Sequence, residues 1–214
     1  MLIVGAKGHA IEVLDIFEKN MYLEELFFFD NVSKDLKSKL YGKYSIIRSF
    51  QQLEQLNHVN KNFVLGCGNR VVRYNLSKKF ISLGWKLTSI ISNTLKIGNN
   101  NVVLEDGLNI MLNVIITNDI RIGEGSLINA GVLIHHNARI GKYCEISPGV
   151  CITGNVEIKD FTFIGSCAVI IPNVTIGKNC VIGAGSVVNQ DIPDNSVAVG
   201  VPAKIIKETE PFNE

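Results

Sequence analysis

The stretch "GVLIHHNARIGKYCEISPG", Gly131 to Gly149, decides the fold. Within it Ile134, Ile140 and Ile146 stand six residues apart, and the same step continues in both directions. The full series is Leu104, Ile110, Ile116, Ile122, Ile128, Ile134, Ile140, Ile146, Ile152, Ile158, Ile164, Ile170, Ile176, Ile182 and Val188, fifteen aliphatic positions in succession. With roughly three residues in ten aliphatic, chance gives such a run with a probability on the order of 10⁻⁸. The fourth residue after each is small or β-branched in most hexads, as at Val114, Ser126, Val132, Ala138, Val150, Thr162, Ala168 and Ser186. Neither a helix nor a flat strand has period six; a solenoid does. Three hexads close one triangular coil, so the series predicts five coils of a parallel β-helix, stacked to about 24 Å. Ile91 and Ile97 read as an earlier partial coil, displaced by one residue at Asn99 to Asn101.

The chain before residue 90 has a different grammar, which divides it into domains at 1–90 and 91–214. All five prolines lie in the second part. In the first, Leu2-Ile3-Val4 predicts a strand and His9 to about Asn20 a helix with Ile11, Leu14 and Phe17 on one face. "ELFFFDN" and "NFVLG" predict strands ending at Asp30 and Gly66, "NRVVRYNLSKKFISLG" a helix closed by Gly84, and "KLTSII" a last strand. Alternation of this kind predicts a small Rossmann-like parallel sheet of βαβ units. Gly5 and Gly8 form a G-x-x-G turn opening a helix, where backbone N–H groups can meet phosphate. The turn lacks the full dinucleotide fingerprint and permits a mononucleotide, with Asp30 placed to meet a ribose or base. A turn glycine and a strand-end cap are the plain alternative.

Composition narrows the function classes. A net charge of +1, with Lys and Arg scattered along the chain, gives no sign of a surface for nucleic acid or anionic lipid. Apolar runs are too short to span a bilayer, and the amino terminus lacks the basic start of a signal peptide. The five cysteines are odd in number and include no C-x-x-C pair, which predicts reduced thiols in a cytoplasmic protein. Cys144 and Cys180 stand at small-residue positions of the repeat and read as core fillers.

Residues eighteen apart share a corner of the coil. One column reads Asn118, His136, Gly154, Pro172, and its neighbour Asp119, Asn137, Asn155, Asn173. The second suits hydrogen bonding along the stack. In the first, His136 interrupts a corner where any turn residue would serve; an exposed histidine without a role is the simplest account.

The repeat, its tail "VAVGVPAKIIK" and the lead-in "INAGVLIHHNARIG" resemble the hexapeptide acyltransferases, whose β-helix is left-handed and trimeric. More narrowly, the chain resembles the bacterial nucleotide-amino-sugar N-acetyltransferases and the related sialic-acid O-acetyltransferases. Their N-terminal domain opens with G-x-x-G-H, matched by Gly5, Gly8 and His9, and carries G-N-x-x-x-R, matched by Gly68, Asn69 and Arg73. The resemblance implies that His136 is the general base, seven residues after Asn129, and that the Gly154 N–H is the oxyanion donor one coil above. It implies acetyl-CoA as co-substrate, with Lys204 near its phosphates or merely solvated, a nucleotide-linked amino sugar as acceptor, and no metal. Relatives place a carboxylate directly after the base, where this chain has Asn137, so Asn137 or Asp119 would orient the imidazole. A second family histidine falls on Glu145, which implies altered acceptor or coenzyme contacts.

Imidazole suits proton removal from an attacking amine near neutral pH, and a fixed N–H suits the developing oxyanion. The leading expectation is N-acetylation of a nucleotide-linked amino sugar for surface polysaccharide or glycan synthesis. O-acetylation of a sugar hydroxyl uses the same parts. A zinc carbonic anhydrase on this scaffold needs three converging histidines, whereas His9, His58, His135 and His136 include none on neighbouring coils. A non-catalytic, nucleotide-sensing β-helix is the remaining alternative.

Overall fold

A computed structural model describes residues 1–20, 25–56 and 60–212; His58 lies outside them. The first domain runs β1 (Leu2–Val4), α1 (His9–Lys19), β2 (Phe27–Phe29), β3 (Lys39–Leu40), β4 (Tyr44–Ile47), α2 (Phe50–Glu54), β5 (Asn62–Leu65), α3 (Arg70–Ser82) and β6 (Lys86–Leu87). They form one sheet in the order β3-β4-β2-β1-β5-β6. All pairings are parallel except the β3–β4 hairpin. With β2 on one side of β1 and β5 on the other, the strand order reverses at the carboxyl end of β1, the usual place for a ligand crevice.

Helix α1 buries Ala10, Val13, Leu14, Ile16 and Phe17, while Ile11 is at the margin of that face. "KLTSII" differs from expectation. It is two strands: Lys86–Leu87 completes the first sheet, and Ile90–Ile91 opens the second domain. Thr88 and Ser89 carry the chain across.

The second domain is a triangular prism whose three faces are parallel sheets. From Ile110 to Val188 every sixth residue is buried inside it, and Leu104 is partly buried at its base. Strand register confirms the coil length. Ile122 stands over Leu104 and Ile134 over Ile116, eighteen apart, whereas Ile110 pairs with Ile91 and Ile116 with Ile97, nineteen apart. The extra residue enters at the asparagine run, as the sequence reading expected.

Small polar fillers are satisfied inside the prism. Ser126 Oγ donates to the Gly141 carbonyl at 2.8 Å and Thr162 Oγ1 to that of Gly177 at 2.7 Å. Cys144 and Cys180 are free thiols, fully buried, each against a backbone carbonyl of a neighbouring strand or turn. Asn101, Asp119, Asn137, Asn155 and Asn173 all have φ between 52° and 65°. That left-handed corner conformation favours Asn or Asp over most other side chains. Their amides then form a ladder: Asn101 to Asp119 at 2.8 Å, Asn137 to Asn155 at 2.9 Å, Asn155 to Asn173 at 3.1 Å.

The three faces differ in what they present. One, carrying Asn109, Leu127, Glu145 and Phe163, is covered by the first domain. Ile90, Met111 and Leu127 join the core beneath α1, and Tyr143 and Phe161 join the core beneath α3. A second face shows Ile115, Leu133, Cys151, Val169 and Val187; the third shows Arg121, Arg139 and Glu157. Replacing Ile146 by Ala at the centre of the stack is expected to cost about 2–5 kcal/mol, read as a fall in the denaturation midpoint.

Candidate functional site

His136 sits on the prism edge between the apolar and charged faces, just after the strand Leu133–Ile134 and before Arg139–Ile140. The corner ladder is continuous. Asn155 N donates to the His136 carbonyl at 3.0 Å, and Asn173 N to that of Gly154 at 3.1 Å. Gly154 is therefore directly above His136, and the imidazole lies over it. A β-carbon at Gly154 would stand 2.5 Å from His136 Cε1 and 2.7 Å from Nε2. A side chain at 154 would push the ring from this position.

The Gly154 N–H makes no hydrogen bond within the described residues. Some corner N–H groups are capped by a side chain of a neighbouring coil: Lys142 by Asp160, Lys178 by Asp194, and Asn100 by Asn118. Above Gly154 stands Pro172, which has no acceptor side chain, so this donor stays free. Asn137 flanks the ring, with Nδ2 3.4 Å from His136 Nδ1 while donating to Asn155. Asp119 instead accepts from Asn101.

The other predicted residues lie elsewhere. A cavity of about 380 Å³ opens at the carboxyl ends of β1, β2 and β5, lined by Gly5, Lys7, His9, Asp30, Cys67 and Gly68 among others. Gly5 has φ 121°, and a β-carbon there would meet the Gly66 carbonyl at 2.6 Å. Gly8 caps α1 with φ 49° and supplies no side chain to its N-terminal N–H groups. Asp30 accepts from Val32 N, Ser33 N and Ser33 Oγ. Burial pushes its carboxyl up, but those donors and the Arg48 guanidinium outweigh burial and hold it below the ordinary value.

Asn69 is the N-cap of α3, its Oδ1 accepting from Val71 N and Val72 N. Arg73 is fully buried, donating to the Gly125 carbonyl at 2.9 Å, the Cys67 carbonyl at 2.8 Å and Asn109 Oδ1 at 3.0 Å. It bolts the first domain to the prism rather than facing the cavity. Asn109 is a residue the sequence reading missed. It is buried, and its Nδ2 donates to the Leu65 carbonyl at 2.7 Å and stands 3.2 Å from His9 Nε2. Its only sequence signal is a polar amide at an outward hexad position, where the same face carries Leu127 and Phe163 in other coils.

Glu145 lies on the covered face, its Oε1 3.2 Å from where a Gly68 β-carbon would be. Burial pushes its carboxyl up against the opposing pull of Arg73 and Arg70. Asn129 is on the edge between the covered and apolar faces, accepting from Ala130 N. Lys204 is exposed on the C-terminal strand Ala203–Glu208. The structure thus assembles two clusters: His136, Asn137 and Gly154 on one edge, and the cavity residues on the opposite face. The prism separates them within one chain.

Among the described residues no group of three or more His, Cys, Asp or Glu is arranged to hold a metal ion. None of their helices is long and apolar enough to cross a membrane.

Residues 1–80 match the PglD N-terminal domain, and residues 119–154 and 155–190 match the bacterial transferase hexapeptide (six repeats) family. The chain is similar to PerB from Caulobacter crescentus, solved with CoA and GDP-perosamine, at 28% identity and TM-score 0.84 over 96% of each chain. It is also similar, at 27% identity and TM-score 0.84 over 97% of this chain and 96% of that one, to a perosamine N-acetyltransferase from Caulobacter crescentus solved with a histidine replaced by asparagine or by alanine. The chain is similar to WeeI from Acinetobacter baumannii AYE, at 26% identity and TM-score 0.88, over 96% of this chain and 98% of that one. The acetyltransferase domain of PglB from Neisseria gonorrhoeae FA1090, at 24% identity and TM-score 0.85 over 96% and 98%, shares the fold. A search of curated proteins found no match.

His9 generates a pH prediction. Burial holds its imidazole below the ordinary histidine value, with Glu12 opposing the effect and Arg73 adding to it. The unfolded chain therefore binds a proton that the folded chain refuses, and stability falls as pH drops through about 6.5. The melting temperature is expected to decline between pH 7.5 and 5.5, with a smaller decline in His9→Gln.

Proposed function

From a chain whose first part matches the PglD N-terminal domain and whose repeat matches the bacterial transferase hexapeptide, we propose that it transfers the acetyl group of acetyl-CoA to the amine of a nucleotide-linked amino sugar. Residues 1–90 would hold the nucleotide and residues 91–214 carry the transfer. The observation that carries the reading is the packing of His136 on Gly154 beside a free corner N–H. The sugar nitrogen attacks the thioester carbon while His136 takes its proton, and the Gly154 N–H donates to the carbonyl oxygen as it gains charge. The C–S bond then breaks, and the imidazolium returns the proton to the departing sulfur. Asn137, tied to Asn155, limits where the ring can turn. The nucleotide would lie in the cavity at β1, where the Gly5–Gly8 turn and the uncapped start of α1 favour phosphate. The N-acetylated product suits incorporation into a surface glycan.

One chain does not complete this site, because the cavity and His136 face opposite sides of the prism. The apolar face beside His136, with Leu133 36% exposed and Ile115 37% exposed, supports self-association that brings one chain's base to another's nucleotide. The assembly implied by the resemblance is a homotrimer.

Thiol release from acetyl-CoA, followed with a panel of nucleotide-linked amino sugars, tests the reaction. His136→Ala is expected to lose about a hundredfold or more in kcat with the fold intact. Gly154→Ala should lose on a similar scale. Its backbone is outside the left-handed region, and the nearest atoms the added methyl would meet are those of the His136 ring. Turnover of a sugar hydroxyl in place of every amine would move the acceptor to O-acetylation, and an unchanged rate in His136→Ala would remove the base.

Leu133→Glu places a charge on the apolar face. Light scattering is expected to show a smaller species, with turnover lost in step. A dissociated variant that kept its rate would show that one chain suffices.

A further inference from the structure

Asn109 belongs to the prism, yet it reaches the floor of the cavity in the first domain. Both donors of its amide are used: Nδ2 serves the Leu65 carbonyl and His9 Nε2, while Oδ1 accepts from Arg73. An amide nitrogen only donates, so His9 Nε2 has to accept, and the ring proton sits on Nδ1, 2.9 Å from Glu12 Oε2. His9 lines the cavity with its side chain 8% exposed. The ionisable groups about it are Glu12 on its own helix, Arg73 on α3, Lys7 and Asp30 from the loops after β1 and β2, and Cys67 after β5.

We propose that Asn109 is a positioning residue, which from the prism holds His9 neutral and in its Nδ1–H form, so that the nucleotide cavity keeps one charge across the range where histidine ordinarily titrates. The inference rests on reading that cavity as the nucleotide site. Asn109 acts through His9 and touches no substrate. Protonating Nε2 would set two donors against each other and place a second cation near buried Arg73. A neutral ring leaves the attraction for an anionic diphosphate independent of pH.

The test is an NMR titration of the histidine ring C–H signals between pH 7.5 and 5.5, with His9 assigned by its loss in His9→Gln. In wild type the His9 signal is expected to stay near its neutral position until the lower end of the range. In Asn109→Ala it should titrate within the range. Over the same interval the KM for the nucleotide-linked amino sugar should be level in wild type. In the variant it should change by roughly threefold or more, the scale of one screened charge near an anion, while kcat keeps its wild-type pH profile. A wild-type His9 that protonates at the ordinary histidine value overturns the proposal without any variant. If Asn109→Ala does not fold, Asn109→Asp replaces the donor by an acceptor and should raise the His9 titration; an unchanged curve overturns the proposal. A wild type that binds no nucleotide overturns the reading of the cavity, and the titration still judges Asn109 by itself.

Discussion

Everything in this protein depends on the dry aliphatic stack inside the prism. Each inward isoleucine is covered above and below by another eighteen residues away, and each hexad can bury its side chain only if its neighbours keep the same step. That requirement fixes the coil at three hexads and sets neighbouring backbones one strand spacing apart. Corner residues inherit the spacing. His136 meets Gly154 because the core beneath them leaves no other register, and the asparagine ladder is held to the same spacing.

The outward positions are free of this constraint, and they give the three faces their separate uses. The covered face exchanges apolar contacts with both layers of the first domain and adds a buried polar junction of Arg73, Asn109 and His9. A buried guanidinium is tolerable there because three acceptors, two of them from the prism, meet its donors. The junction is directional, so it sets the orientation of the two domains where apolar packing alone would allow sliding. The prism in this way supports the cavity whose lining it does not supply.

The packing of His136 on Gly154 follows from the residues that occupy one corner column. Some corner donors, those of Asn100, Lys142 and Lys178 among them, are capped by a side chain of an adjacent coil, whereas at Gly154 the next residue in the column is Pro172. Removing a side chain at 154 admits the imidazole, and removing an acceptor at 172 frees the donor. The scaffold is rigid at this point because the ladder through Asn137, Asn155 and Asn173 runs beside it.

The prism was legible in the sequence because a solenoid contact is a fixed number of residues long. Eighteen-residue arithmetic placed Gly154 over His136, aligned the asparagines and located the one-residue slip before Val102. The βαβ order was legible from strand and helix periods, although "KLTSII" hid a domain crossing in a short apolar run that suits either sheet. Arg73 and Asn69 stood out as a motif, but their tasks, a bolt and a helix cap, depend on partners 36 and 52 residues away or on the local turn. Asn109 escaped notice because its partners come from three separate elements of another domain. That His136 and the cavity lie on opposite sides of the prism also had no trace in the sequence. Periodicity determines which residues stack, whereas the docking of one domain on one of three similar faces is decided by side-chain complementarity in space.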